Sequence, residues 1–145
     1  MKISRPAILI GLICVSVFPF TSALAGISGG TDNRFTEQKL QLIERNLVIG
    51  LESGMASMQA SAAIVLKQVK MAAPEYDFAE AIIPLMRIIK DEKGDITTRI
   101  AAAIVLHDLH SSRGDYAIKR TAQFTDVERV KRICLLLSSE VMREE

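Results

Sequence analysis

Two nine-residue stretches decide the fold. Met58-Gln59-Ala60-Ser61-Ala62-Ala63-Ile64-Val65-Leu66 and Thr98-Arg99-Ile100-Ala101-Ala102-Ala103-Ile104-Val105-Leu106 are identical at five of nine positions at an offset of 40 residues. Both place small residues and then bulky apolar ones at helical spacing. A weaker third copy, Val130-Lys131-Arg132-Ile133-Cys134-Leu135-Leu136-Leu137, follows the second at an offset of 32. Periods of this length, built from two helices each, indicate stacked helix pairs. Consecutive alanines remove side-chain bulk, so two helix backbones can approach toward the short end of the 8–10 Å packing range. A plain six-helix bundle, with alanine serving only as a helix former, is the competing reading.

Working outward, helical spacing is nearly continuous and two-residue alternation is scarce. The first helix is expected from Thr36, its N-cap, to about Glu52, with Leu40, Ile43, Leu47, Val48 and Leu51 inward. Gly54 punctuates it. The second spans about Ala56 to Ala72, with Met58, Ala62, Val65, Leu66 and Val69 inward, and Pro74 ends that segment. The third covers about Tyr76 to Asp91; Pro84 either kinks it or marks a start at Ile83. The fourth runs from about Ile96 to Leu109 behind the capping residue Asp95. Ser111 to Gly114 is a polar break, followed by a short fifth helix from about Asp115 to Gln123. Thr125 or Asp126 caps a sixth that reaches about Met142. Turns of a few residues make successive helices antiparallel neighbours.

The pattern of a polar turn followed by Val-Arg-x-x-Ala-Ala-x-x-Leu resembles the second helix of a HEAT-like (armadillo-type) repeat. Thr98-Arg99, Val130-Lys131 and Met58-Gln59 stand at the Val-Arg positions, and Ala62-Ala63 and Ala102-Ala103 match the small pair. Cys134-Leu135 depart from it. The resemblance covers residues 37–142 and implies an all-α fold, a short α-solenoid of about three HEAT-like helix pairs. It also implies that Arg99 ties to an acidic residue in a neighbouring turn. Gln59 carries no charge, so the corresponding ladder is expected to be incomplete.

The N-terminus is of a different kind. The first 25 residues contain 16 hydrophobic ones. Lys2 and Arg5 precede an apolar stretch from Ala7 to Phe20, and Ala23 and Ala25 form an A-x-A site. That is the layout of a signal peptide over residues 1–25, placing the mature chain in the periplasm or outside the cell from Gly26 onward. The apolar run is shorter than the ~20 residues of a spanning helix, so no integral membrane segment is expected after cleavage; retention as an anchor is the alternative. Residues 26–36 read as a flexible, glycine-bearing leader.

Losing Lys2 and Arg5 takes the 18 basic residues to 16 against 17 acidic ones. A near-neutral body argues against a nucleic-acid partner. Cys14 leaves with the signal, so Cys134 has no internal disulfide partner and is expected to be a buried thiol.

Motifs for chemistry are sparse. His107 and His110, near the end of the fourth helix, are weak metal candidates; two imidazoles are too few for a structural zinc, and histidine at a helix C-terminus has a dipole reason to be there. The chain shows no G-x-S-x-G elbow, phosphate loop or C-x-x-C pair, so no catalytic residue and no cofactor are assigned. The expected function is a non-enzymatic protein–protein interaction or scaffold module that binds another protein or itself. A regulatory or sensor protein binding a small ligand or metal is the alternative, and an enzyme comes third. The sixth helix has a wide apolar arc, so Leu136 and Val141 are the expected contacts, with Lys131 and Arg132 at the rim. Arg99, on the concave face, is the next candidate.

Overall fold

The computed structural model describes residues 35–144, without the side chains of 140–144. The expected signal peptide, residues 26–34 of the expected leader and the side chain of Val141 lie outside the described residues. The described residues form an all-α fold of six helices packed together: α1 (Glu37–Leu51), α2 (Ala56–Ala72), α3 (Ala79–Lys90), α4 (Ile96–Asp108), α5 (Ser112–Phe124) and α6 (Glu128–Glu144).

Local chemistry explains most boundaries. The hydroxyl of Thr36 accepts from the Lys39 amide at 3.4 Å, and Oδ1 of Asp95 accepts from the Thr98 amide at 2.8 Å, each filling an N–H that the first helical turn leaves unpaired. The turn after α1 passes through Gly54 at φ +71, a conformation that glycine adopts without strain. Phe35, in the expected leader, is half-buried against the core.

Three expectations change. α3 begins at Ala79, not Tyr76 or Ile83, and continues through Pro84. Its amide groups before the proline are supplied from elsewhere: Glu80 donates to Oε1 of Glu44 at 2.9 Å, and Ala81 donates to the Phe78 carbonyl at 3.2 Å. α5 starts at Ser112 rather than Asp115, because the Ser111 hydroxyl accepts from the Gly114 amide at 3.4 Å. At the start of α6 neither Thr125 nor Asp126 takes the capping position; the Val127 carbonyl accepts from Lys131, and Thr125 closes α5.

Each helix packs on its partner in the pairs α1–α2, α3–α4 and α5–α6, and α4 also meets α5. Contacts then run to the next helix but one: α1 to α3 to α5, and α2 to α4 to α6. Ala63, Leu66, Leu85, Ile89, Ala102, Ala103 and Leu106 are fully buried at the centre.

Close approach depends on glycine as well as alanine. A Cβ on Gly50 would stand 2.9 Å from Cβ of Ala62, and one on Gly114 would stand 3.1 Å from the Leu106 carbonyl oxygen. Gly114 was expected in a break; it is a buried residue in the first turn of α5, seated on α4.

Two residues expected inside α2 are exposed, Met58 and Val65. Val105, the repeat counterpart of Val65, is buried. The difference comes from position: α4 packs on both α2 and α6, whereas α2 has α4 alone on that layer.

Candidate functional site

Arg99 is a structural residue. Its side chain is 0% exposed, so it is no surface contact, which corrects the expectation from sequence. Its Nε donates to the Ile89 carbonyl at 3.1 Å, and Nη2 donates to Oε1 of Glu92 at 3.1 Å and to Oγ1 of Thr125 at 3.2 Å. Thr125 in turn donates to Oε2 of Glu92 at 3.2 Å. One guanidinium thus joins α4 to the turn before it and to the turn after α5, using the fork geometry that lysine lacks. Gln59, at the same repeat position, donates to the Leu51 carbonyl at 2.9 Å. It keeps the carbonyl contact without the ion pair.

A buried carboxylate escapes periodicity altogether. Glu44 on α1 is 4% exposed and accepts from the Tyr76 hydroxyl at 2.9 Å as well as from the Glu80 amide. Burial, then the Glu44 hydrogen bond and charge, push the Tyr76 hydroxyl up to about 12. The only sequence sign was an acidic residue directly beside the apolar stripe of α1.

Cys134 is buried, and burial pushes its thiol up to about 11 against the opposing field of Arg99. A thiol in that state is a poor nucleophile. His107 and His110 have ring centroids 6.0 Å apart, but His110 lies past the end of α4 with φ 48. It occupies the left-handed position that commonly ends a helix, so the two do not share a helical face. Among the described residues no group of three or more His, Cys, Asp or Glu side chains converges to hold a metal.

An open cleft of about 450 Å³ lies at the turns, lined by Glu52, Gln59, Arg87, Asp91, Asp95 and Arg99 among others. Its polar groups are committed: Glu52 pairs with Arg87 at 3.0 Å, and Asp91 accepts from the Lys93 amide. Asp95 caps α4, and its hydrogen bonds from Thr98 hold its carboxyl below the usual value.

What α5 and α6 leave uncovered has a different character. On α6, Leu135 and Leu136 are 52% and 57% exposed; they lie one turn from exposed Arg132, and Lys131 is half-buried. On α5, Tyr116, Arg120 and Phe124 recur at i, i+4 and i+8 and are all exposed. Arg120 donates to the Tyr116 hydroxyl at 3.5 Å and lies 5.1 Å over the Phe124 ring. The sequence reading missed this line, although its four-residue spacing is visible in Tyr116-x-x-x-Arg120-x-x-x-Phe124.

No helix among the described residues is long and apolar enough to cross a membrane. Compared with family models, curated proteins and solved structures, the chain matches none.

Proposed function

We propose that this protein is an exported, non-enzymatic protein-binding module whose six helices form a short α-solenoid of three HEAT-like pairs. The solenoid reading is supported by the order of contacts, first helix to first helix and second to second along the chain. The 40-residue duplication and the Arg99 device support it independently. Export rests on the N-terminal residues alone.

The observation that carries the binding function is the exposed chemistry of the last pair. Aromatic and arginine side chains dominate the energetics of protein contacts, and Tyr116, Arg120 and Phe124 supply both on one helix. Leu135 and Leu136 add apolar area next to Arg132. Through residue 139, exposed Arg113, Arg120, Arg129 and Arg132 outnumber exposed Asp126 and Glu128 in α5, α6 and their connection. The complementary partner is a protein segment that combines acidic side chains with apolar anchors.

Capture from the periplasmic fraction with Leu136→Glu and Phe124→Ala tests this. Recovery of a specific acidic partner should fall with both variants while their helical circular dichroism is unchanged. Undiminished recovery with both would remove the last pair as the contact surface.

A further inference from the structure

We propose that the chain pairs with a second copy of itself about a two-fold axis, each copy seating Arg120 in a cavity of the other. This rests on the reading of α5 as a contact surface and names the chain itself as one occupant of that surface. The cavity is open, about 380 Å³, and lies where the α2–α3 connection meets the α4–α5 connection. Glu75 and Asp77 line it together with Ile82 and Leu109. It therefore offers carboxylates to a guanidinium and an apolar wall to the stem that carries it.

The acidic side is held in place and free to pair. Lys70 also lines the cavity, but its ammonium is turned to the Pro74 and Tyr76 carbonyls at 2.7 and 3.0 Å. Tyr76 is tied to Glu44, and Phe78 is fully buried. The connection is thereby fixed, with exposed Glu75 and Asp77 on either side of Tyr76. Among the described residues neither carboxylate has an ion-pair partner, whereas Glu52, Glu92 and Asp108 each do. Arg113, two residues past Ser111 of the cavity wall, pairs with neither of them.

Arg120 is the complementary group. It lies over the Phe124 ring and donates one hydrogen bond, to Tyr116, so its other N–H groups are open to carboxylates. It stands nine residues beyond Ser111, about 13 Å along α5, too far to enter its own cavity. In an antiparallel arrangement of two α5 helices centred on Tyr116, Arg120 falls opposite Ser112 of the second copy, beside Ser111 in that copy's cavity wall. The same operation brings the second copy's Arg120 to the first cavity, so the contact closes on two chains. Arg113 then meets half-buried Lys119 of the other copy, and the carboxylates of Glu75 and Asp77 offset that positive charge. Tyr116 and Phe124, 59% and 68% exposed, are covered in the same step. The pair thus withholds the line assigned to a partner protein, and partner and second copy compete for it.

Sedimentation equilibrium on the purified protein tests the pairing, with Arg120→Glu and the double variant Glu75→Lys, Asp77→Lys. The wild type should weigh about twice one chain at low salt and move toward one chain at high salt. Each variant alone sets like charges together, so its mass should halve while its circular dichroism stays unchanged. An equimolar mixture of the two should regain the doubled mass, because every cavity then meets an opposite charge. A wild type that stays monomeric at low salt overturns the proposal. So does a doubled mass in either variant alone, a mixture that remains at one chain, or a mass that climbs without limit as concentration rises. A monomeric wild type whose partner recovery still depends on Phe124 would end the pairing alone. Restored mass in the mixture, with recovery indifferent to Phe124 and Leu136, would end the partner reading alone.

Discussion

The guanidinium of Arg99 is wholly buried while the carboxylate it grips, Glu92, is 54% exposed. The pair is therefore asymmetric. Water already reaches Glu92, whereas Arg99 meets solvent only where it lines the cleft and where Glu92 would leave a gap. We expect Glu92→Ala to destabilise the fold by about 1–2 kcal/mol, between an exposed ion pair and a fully buried one. Urea melts measure it. A loss under about 0.5 kcal/mol would place the contact with ordinary surface ion pairs.

Tyr76 gives an alkaline signature. Its hydroxyl rises from 10.0 to about 12 in the folded protein, so the folded state favours the neutral phenol. That contribution is complete below pH 10 and is lost as pH climbs through about 12. Denaturation midpoints of wild type and Tyr76→Phe should therefore converge over this window. A constant gap between them would disconnect Tyr76 from the alkaline response.

Gly50 sets two effects against each other. Alanine would gain about 1 kcal/mol of helix propensity over glycine. Its Cβ, however, would stand 2.9 Å from Cβ of Ala62, a rigid neighbour that cannot turn aside. Overpacking of this kind costs about 1–3 kcal/mol, so Gly50→Ala should lower stability on balance. Ala102→Leu, at a fully buried position in α4, should do the same. Thermal melts at or above the wild-type midpoint for both would refute the close-packing account.

Export predicts a defined product. Intact-mass measurement of the periplasmic or secreted protein should give a chain beginning at Gly26. A full-length mass recovered from the membrane fraction would show an uncleaved anchor instead.

Much of this architecture was legible in the linear order of residues. Helical periodicity, Thr36 and Asp95 as caps, Gly54 in a turn and the duplicated Ala-Ala-Ile-Val-Leu segment depend on neighbours within a few positions along the chain, and those are present in the sequence. Leu135 and Leu136 at the surface of α6 also follow from an apolar arc wider than one neighbouring helix can cover.

Tertiary structure alone decided the rest. Val65 and Val105 occupy identical local sequence, yet one is open and the other buried, because α4 has α2 and α6 on its two sides whereas α2 has α4 alone on that layer. Glu44 looks like a solvated side chain in α1 until the first turn of α3 brings an unpaired amide to it and the connection before α3 a tyrosine hydroxyl. The resemblance already implied an acidic partner for Arg99, but its complete burial and its contact with Thr125 depend on the turns that close over it. Periodicity records which face of a helix is apolar; burial and hydrogen-bond partnership depend on what the rest of the chain places against that face.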